Sequence, residues 1–131
     1  MKELIKELKN EHQAILAILT RIKTLGIASR SGQEQLLAAR CLLMAHIRKE
    51  DEHYYIGLRK AAETDPGLKI MMDYFVADME AVSSKAMLLF DTYAQGGDEG
   101  EFAGAIKLLY MTLKDRIRTE EETLFRKYPG T

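Results

Sequence analysis

Hydrophobic residues recur three or four positions apart along nearly the whole chain, in four stretches separated by short polar or glycine-containing segments. This spacing places them on one face of an α-helix. The pattern predicts helices over residues 2–25, 32–62, 66–95 and 99–127, and no strand-like alternation or repeat interrupts it. Short connections make consecutive helices antiparallel neighbours, so the expected fold is an all-α, up-down-up-down four-helix bundle.

Polar residues at the expected helix starts support these boundaries. Residues 31–34 (Ser-Gly-Gln-Glu) fit a capping box, in which the serine and glutamate side chains satisfy backbone N–H groups of the first turn. Asp65 precedes a proline at the first helical position, and Asp98 with Glu101 fits a second capping box. The central apolar positions are expected to be buried: Leu8, Ile15, Leu19, Leu43, Ile47, Phe75, Met79, Val82, Leu89, Leu109, Leu113, Ile117 and Leu124.

Composition narrows the class of protein. A chain of 131 residues, 47% hydrophobic and 30% charged, is typical of one globular domain, here residues 1–131. Its net charge of −1 favours neither nucleic acid nor an anionic membrane as a partner. The single Cys41 cannot form an internal disulfide, and neither a signal peptide nor a membrane span is recognisable. We therefore expect a cytoplasmic domain.

Polar side chains interrupt the apolar stripes of three helices at comparable heights: His12 in the first, His46 and Glu50 in the second, and Arg116, Glu120 and Glu121 in the fourth. Buried charge is costly unless it is paired or coordinated. Imidazoles and carboxylates together form a ligand set that Fe, Zn and Mn prefer. The pattern thus predicts one shared internal site.

Each of these residues also has an ordinary structural explanation. His12 alone is more often a core or boundary histidine, and His46 with Glu50 is compatible with a hydrogen-bonded pair one turn apart on a solvated face. Residues 48–52 are all charged and form mostly a solvated face, to which His53 also belongs. Only the convergence of three helices at one depth favours the site.

Three segments, EHQAILAIL, HIRKEDEHYY and RIRTEEETLFRKYP, resemble the hemerythrin-like, or HHE cation-binding, domain. The resemblance covers nearly the whole chain. It implies a four-helix bundle in which two carboxylates bridge two non-haem irons and five histidines complete the ligand set. It maps His12 onto the first-helix histidine, His46 and Glu50 onto the His-x-x-x-Glu of the second helix, and Glu121 onto the fourth-helix bridging carboxylate. Glu120 is the alternative if the register shifts by one residue.

The chain departs from the family pattern at one iron. The family's third helix supplies a His-x-x-x-His pair, whereas the third helix here contains no histidine and offers Met79 and Ser83 in those places. The fourth-helix histidine, five residues before the carboxylate, is Arg116. All three histidines of one iron are therefore absent, which implies a site reduced from two metals to one or none.

Two outcomes remain open for this reduced site. His12, His46, Glu50 and Glu121 suffice for one divalent ion, iron or zinc, with water completing its ligand set. Alternatively, the Arg116 guanidinium replaces the metal and pairs with the carboxylates in a metal-free ionic network.

The expected function is a sensing, regulatory or metal-binding role with at most one metal ion. An oxygen-carrying di-iron centre and enzymatic activity are not expected, since one half of the site lacks its ligands and no nucleophile–base pair is evident. The alternatives are a metal-free bundle that binds an unspecified protein partner, and a histidine phosphotransfer domain built on the segment His46–Lys49. That second alternative needs an exposed histidine, and Glu50 would oppose a phosphoryl group.

Overall fold

The computed structural model describes residues 2–129, which form an all-α bundle of four long helices, as predicted. Helix α1 is Lys2–Leu25, α2 covers residues 30–62, α3 is Pro66–Thr92 and α4 covers residues 99–127. Each helix contacts the next one along the chain, and α1 also contacts α4, which closes the bundle. Among these helices, none combines the length and the apolar character needed to cross a membrane.

Helices α2 and α4 each contain one widened, π-helical turn, which the periodicity does not predict. In α2 the turn Glu50–Tyr55 separates α-helical Arg30–Lys49 from Ile56–Ala62, and in α4 the turn Glu120–Leu124 separates Glu99–Thr119 from Phe125–Lys127. Such turns contain i→i+5 hydrogen bonds and are frequent at functional sites. Both turns begin at a buried glutamate.

The predicted capping box at Ser31 is wrong, because α2 begins two residues earlier than predicted, at Arg30. Ser29 is the N-cap, and its hydroxyl accepts a hydrogen bond from the Gly32 N–H at 2.9 Å. Any side chain at Gly32 would collide with the Gly26 carbonyl, so the α1–α2 connection packs directly on this turn. The glutamate of the proposed box, Glu34, instead pairs with Arg30 on the surface.

The other two predicted helix starts are confirmed. Asp65 accepts a hydrogen bond from the Leu68 N–H at 3.1 Å, with proline at the first helical position. Asp98 accepts one from the Glu101 N–H at 2.8 Å. Helix α3 ends at Thr92, three residues before the predicted end.

The core consists of two hydrophobic clusters stacked along the bundle axis. The larger contains Ile15, Leu43, Val82 and Ile117, and the smaller contains Leu8, Tyr54, Phe75 and Leu124 among others. All the predicted core residues are buried except Ile47 and Met79, which are half-buried. On α1, α2 and α4, the polar positions singled out above fall between a member of one cluster and a member of the other. A polar layer thus separates the two clusters.

Candidate metal centre

The buried polar layer consists of residues that the interrupted apolar stripes had singled out. In the described part of the chain, the buried polar or charged residues are His12, His46, Glu50, Arg116 and Glu120, each no more than 6% exposed. Helix α1 supplies the first, α2 the next two and α4 the last two. Helices α1, α2 and α4 thus bring their polar residues to one place.

Each of the two histidines is hydrogen-bonded through Nδ1 to a carboxylate at the outer edge of the layer. The Nδ1–H of His12 donates to Oε2 of Glu121 at 2.7 Å, and that of His46 donates to Oε1 of Glu11 at 2.8 Å. A carboxylate that accepts from Nδ1 orients the ring and leaves Nε2 to face the interior. The two imidazole centroids are 4.6 Å apart. This carboxylate–histidine arrangement is the one that commonly orients metal-binding histidines.

Sequence reasoning missed Glu11. Its second oxygen accepts a hydrogen bond from Lys49 at 2.8 Å, and Lys49 also pairs with Glu7 at 2.6 Å. Glu11 directly precedes His12 in the sequence, but it accepts its hydrogen bond from His46 of α2. Since nothing in a linear pattern records a contact between α1 and α2, no sequence signal identified it.

The inner carboxylates are Glu50 and Glu120. Oε1 of Glu50 lies 3.2 Å from Nε2 of His46, and Oε1 of Glu120 lies 3.2 Å from Nε2 of His12. The family resemblance had placed Glu121 inside, with Glu120 as the alternative. In the structure the Glu120 side chain is 2% exposed, whereas that of Glu121 is 23% exposed and lies behind His12.

The donor atoms are close enough to share one cation. One ligand atom from each of His12, His46 and Glu50 can be chosen so that all three lie within 4.8 Å of one another. Nε2 of His46 and Oε2 of Glu50 are buried and have no hydrogen-bond partner; the 3.2 Å approach of His46 to Glu50 lacks hydrogen-bond geometry. A buried polar atom left unpaired costs about 1–3 kcal/mol. These residues therefore fit a divalent metal ion, which would engage both atoms.

The pKa shifts within the cluster also agree with a site for a cation. Burial and the neighbouring Glu120 carboxylate raise the pKa of Glu50 well above its usual value. Burial opposes the shifts of the other two groups. Contacts with His12 and Glu50 nevertheless lower the pKa of Glu120, and contacts with Glu120 and Glu121 raise that of His12. Both raised pKa values favour the protonated forms of Glu50 and His12, and metal binding releases protons from such ligands.

Arg116 is buried, and of the predicted partners Glu50, Glu120 and Glu121 it pairs with Glu120, at 3.9 Å from its Nη2 to Oε2. Its shorter contacts were not predicted. Nη1 donates to Asp78 at 2.6 Å and Nη2 to the Phe75 carbonyl at 2.9 Å. Both of these closer partners belong to α3. Sequence reasoning missed Asp78, the residue before Met79.

The half of the site that lacks histidines contains little free space. A cavity of about 10 Å³ lies between the histidines and Arg116, and Met79 lines it. This volume is about what a single water molecule needs. Ser83, the other residue expected there, is half-buried and does not line the cavity.

Two adjacent tyrosines close the layer on the side of the smaller cluster. The Tyr55 hydroxyl donates to Oε2 of Glu120 at 3.0 Å, whereas the Tyr54 hydroxyl donates to the Tyr128 carbonyl at 2.6 Å. Burial, reinforced by the nearby carboxylates, raises the pKa of both hydroxyls, so both stay protonated. Sequence reasoning missed Tyr55, although the pair Tyr54-Tyr55 lies within one of the segments that resemble the family.

The fold and this site define a class of protein, a four-helix bundle with a histidine–carboxylate centre in its core. The family model of the hemerythrin HHE cation-binding domain matches residues 3–128, so the chain belongs to that family. Neither the curated proteins nor the solved structures include a significant match.

Proposed function

We propose that this hemerythrin-like domain binds one divalent metal ion, iron or zinc. The ligands would be Nε2 of His12, Nε2 of His46 and the carboxylates of Glu50 and Glu120. The observation that carries the proposal is the orientation of both imidazoles by outer carboxylates, which leaves two buried Nε2 atoms facing two buried carboxylates. The unpartnered atoms of His46 and Glu50 support it further.

Charge also favours a cation at this position. Glu50 and Glu120 are buried together, and the Arg116 guanidinium in the same layer is engaged mainly by Asp78. A divalent ion would neutralise both inner carboxylates and displace protons from the cluster. When bound, the ion would supply Lewis acidity and a fixed positive charge.

The second metal position of the family has no counterpart in this proposal. The histidine-free half offers the Met79 thioether and the Arg116 guanidinium, and a fixed cation repels a second dication. We therefore propose a metal-binding, sensing or regulatory role rather than catalysis or oxygen carriage. The exposed free Cys41 agrees with a reducing compartment, and we propose the cytoplasm.

Metal content tests the proposal directly. The protein is purified without added metal, analysed for all transition elements, and then titrated with Zn²⁺ and, anaerobically, with Fe²⁺. We expect one ion per chain to bind with at least one of these metals. The variant His46→Ala should lose that ion, and His53→Ala, which removes an exposed histidine, should retain it. A wild-type protein that binds neither metal would contradict the proposal.

That negative result would instead support the metal-free bundle, in which the buried ionic layer serves only the fold. The Arg116–Asp78 pair is the observation that favours this second candidate. Histidine phosphotransfer is disfavoured by the burial of His46, which is 3% exposed.

A further inference from the structure

Glu120 presents its two carboxylate oxygens to different groups. Oε1 lies 3.2 Å from Nε2 of His12, on the side of the proposed metal ligands. Oε2 accepts a hydrogen bond from the buried Tyr55 hydroxyl at 3.0 Å. A carboxylate whose second oxygen already accepts a buried hydrogen bond is restrained from turning that oxygen toward a metal.

Arg116 adds to the restraint on the same oxygen. Its Nη2 lies 3.9 Å from Oε2 of Glu120, which places a permanent positive charge on that side. Hydrogen bonds to Asp78 and to the Phe75 carbonyl hold the guanidinium in this position. The charge and the phenol therefore act on Oε2 together, and neither contacts Oε1.

The widened turn of α2 explains how Tyr55 reaches Glu120. In a regular α-helix, with about 100° per residue, the residue five positions after Glu50 would point about 140° away from it. A turn with i→i+5 hydrogen bonds brings such a residue back to the same side. Glu50 and Tyr55 begin and end this turn, and both are buried. The widened turn thus orients both Glu50, a proposed ligand, and Tyr55, which restrains Glu120.

We propose that Tyr55 is a positioning residue which, with Arg116, keeps Oε2 of Glu120 off the metal, so that Glu120 binds through Oε1 alone. This inference rests on the proposed metal binding and deepens it. Tyr55 contacts no metal in this arrangement. It determines how many oxygens Glu120 contributes, and hence the coordination number of the ion.

The chain contains a matched control for Tyr55. Tyr54, its neighbour, is equally buried, but its hydroxyl donates to the carbonyls of Leu124 and Tyr128 instead. The variants Tyr55→Phe and Tyr54→Phe each delete one buried hydroxyl. Both therefore carry a comparable structural cost, and only one of them frees an oxygen of Glu120.

Two measurements distinguish the variants. Zn²⁺ affinity, measured against a competing chelator, should fall about 10–100-fold in Tyr55→Phe, the usual cost of losing a partner of a metal ligand, and stay unchanged in Tyr54→Phe. The visible absorption of the Co²⁺ form reports coordination number. Its bands should weaken in Tyr55→Phe as Oε2 joins the metal, and should match the wild type in Tyr54→Phe.

The outcomes separate the two proposals. A wild type that binds no metal overturns the proposed function, and this inference with it. A wild type that binds one Zn²⁺, with Tyr55→Phe equal to it in affinity and Co²⁺ spectrum, overturns the inference alone. If Tyr55→Phe does not fold, the infrared difference between the zinc-bound and metal-free wild type decides instead. A one-oxygen Glu120 predicts a widely split pair of carboxylate bands, and a chelating pattern for both ligand carboxylates contradicts it.

Discussion

The two halves of the polar layer accommodate buried polar and charged groups in opposite ways. In the half built by α1 and α2, two imidazoles are oriented by outer carboxylates and point their Nε2 atoms inward. In the half built by α3 and α4, Arg116 is a permanent cation with its own counterion, Asp78, and a backbone carbonyl. The first half is arranged to receive a positive charge, and the second already contains one.

This difference shows that burial alone does not identify a binding site. Arg116 and His46 are buried to similar extents. Apart from its Nε, the guanidinium has partners, whereas Nε2 of His46 has none. The unsatisfied atoms, rather than the buried polar residues as such, locate the half that is expected to bind a ligand.

The largest expected effect tests whether both halves depend on one core. Leu113 is buried and lines the small cavity between them. Leu113→Ala should lower the free energy of unfolding by about 2–5 kcal/mol, because it leaves a cavity in a packed core. Leu108→Ala, at an exposed position of the same helix, should change it by less than about 0.5 kcal/mol. Urea denaturation measures both, and equal effects would show that the core is misassigned.

Removing the fixed cation should have the next largest effect. Arg116→Met removes the guanidinium donor from the Phe75 carbonyl and a permanent positive charge from the vicinity of Glu120. Asp78 is partly exposed, so water compensates some of the loss, and we expect a cost of about 1–3 kcal/mol in unfolding free energy. Arg118→Met removes an exposed ion pair and should cost less than about 1 kcal/mol. A stability gain in Arg116→Met would refute the assigned role of this ion pair.

The outer carboxylates of the histidine half should affect metal affinity more than stability. Glu121→Gln and Glu11→Gln weaken the restraint on the His12 and His46 rings, respectively. Each should reduce Zn²⁺ affinity about 10–100-fold, or roughly 1.4–2.7 kcal/mol. Glu122→Gln, at the exposed neighbouring position, serves as the control. If all three variants bind alike, the histidines are not oriented by these carboxylates.

The smallest expected effect concerns the other half. Arg116→His restores one of the three missing histidines, but Met79 and Ser83 still offer no nitrogen donors on α3. Anaerobic titration with Fe²⁺ should therefore still give no more than one iron per chain, the same as the wild type. Two irons per chain in the wild type would show that both halves bind metal, which contradicts the difference described between them.

The sequence identified the layer well but not its exact contacts. Helical periodicity at 3.6 residues per turn predicts which residues face inward, and it placed His12, His46, Glu50 and Arg116 correctly. It could not decide between Glu120 and Glu121, since the widened turn that begins at Glu120 alters the register at that point.

The remaining contacts cross between helices. Glu11 serves a histidine of α2, Asp78 holds an arginine of α4, and Tyr55 reaches a glutamate of α4. Each depends on the rotation and height of two packed helices, and a periodic pattern specifies neither to within one residue. The helix start at Ser29 was missed for a similar reason, because the close approach of Gly26 to Gly32 is a tertiary contact.

The polar layer also separates two parts of the bundle that are expected to open independently. The hydrophobic clusters on its two sides each contain residues of all four helices, and the ionisable side chains lie between them. Local opening follows the regions of a protein that have the fewest buried apolar contacts. In amide hydrogen exchange, we expect the smaller cluster around Tyr54 and Leu124 to open as a unit of its own, ahead of the larger one. A metal ion held by α1, α2 and α4 would couple the two units. Metal binding at a few atoms would therefore slow amide exchange throughout the end of the bundle that contains the smaller cluster.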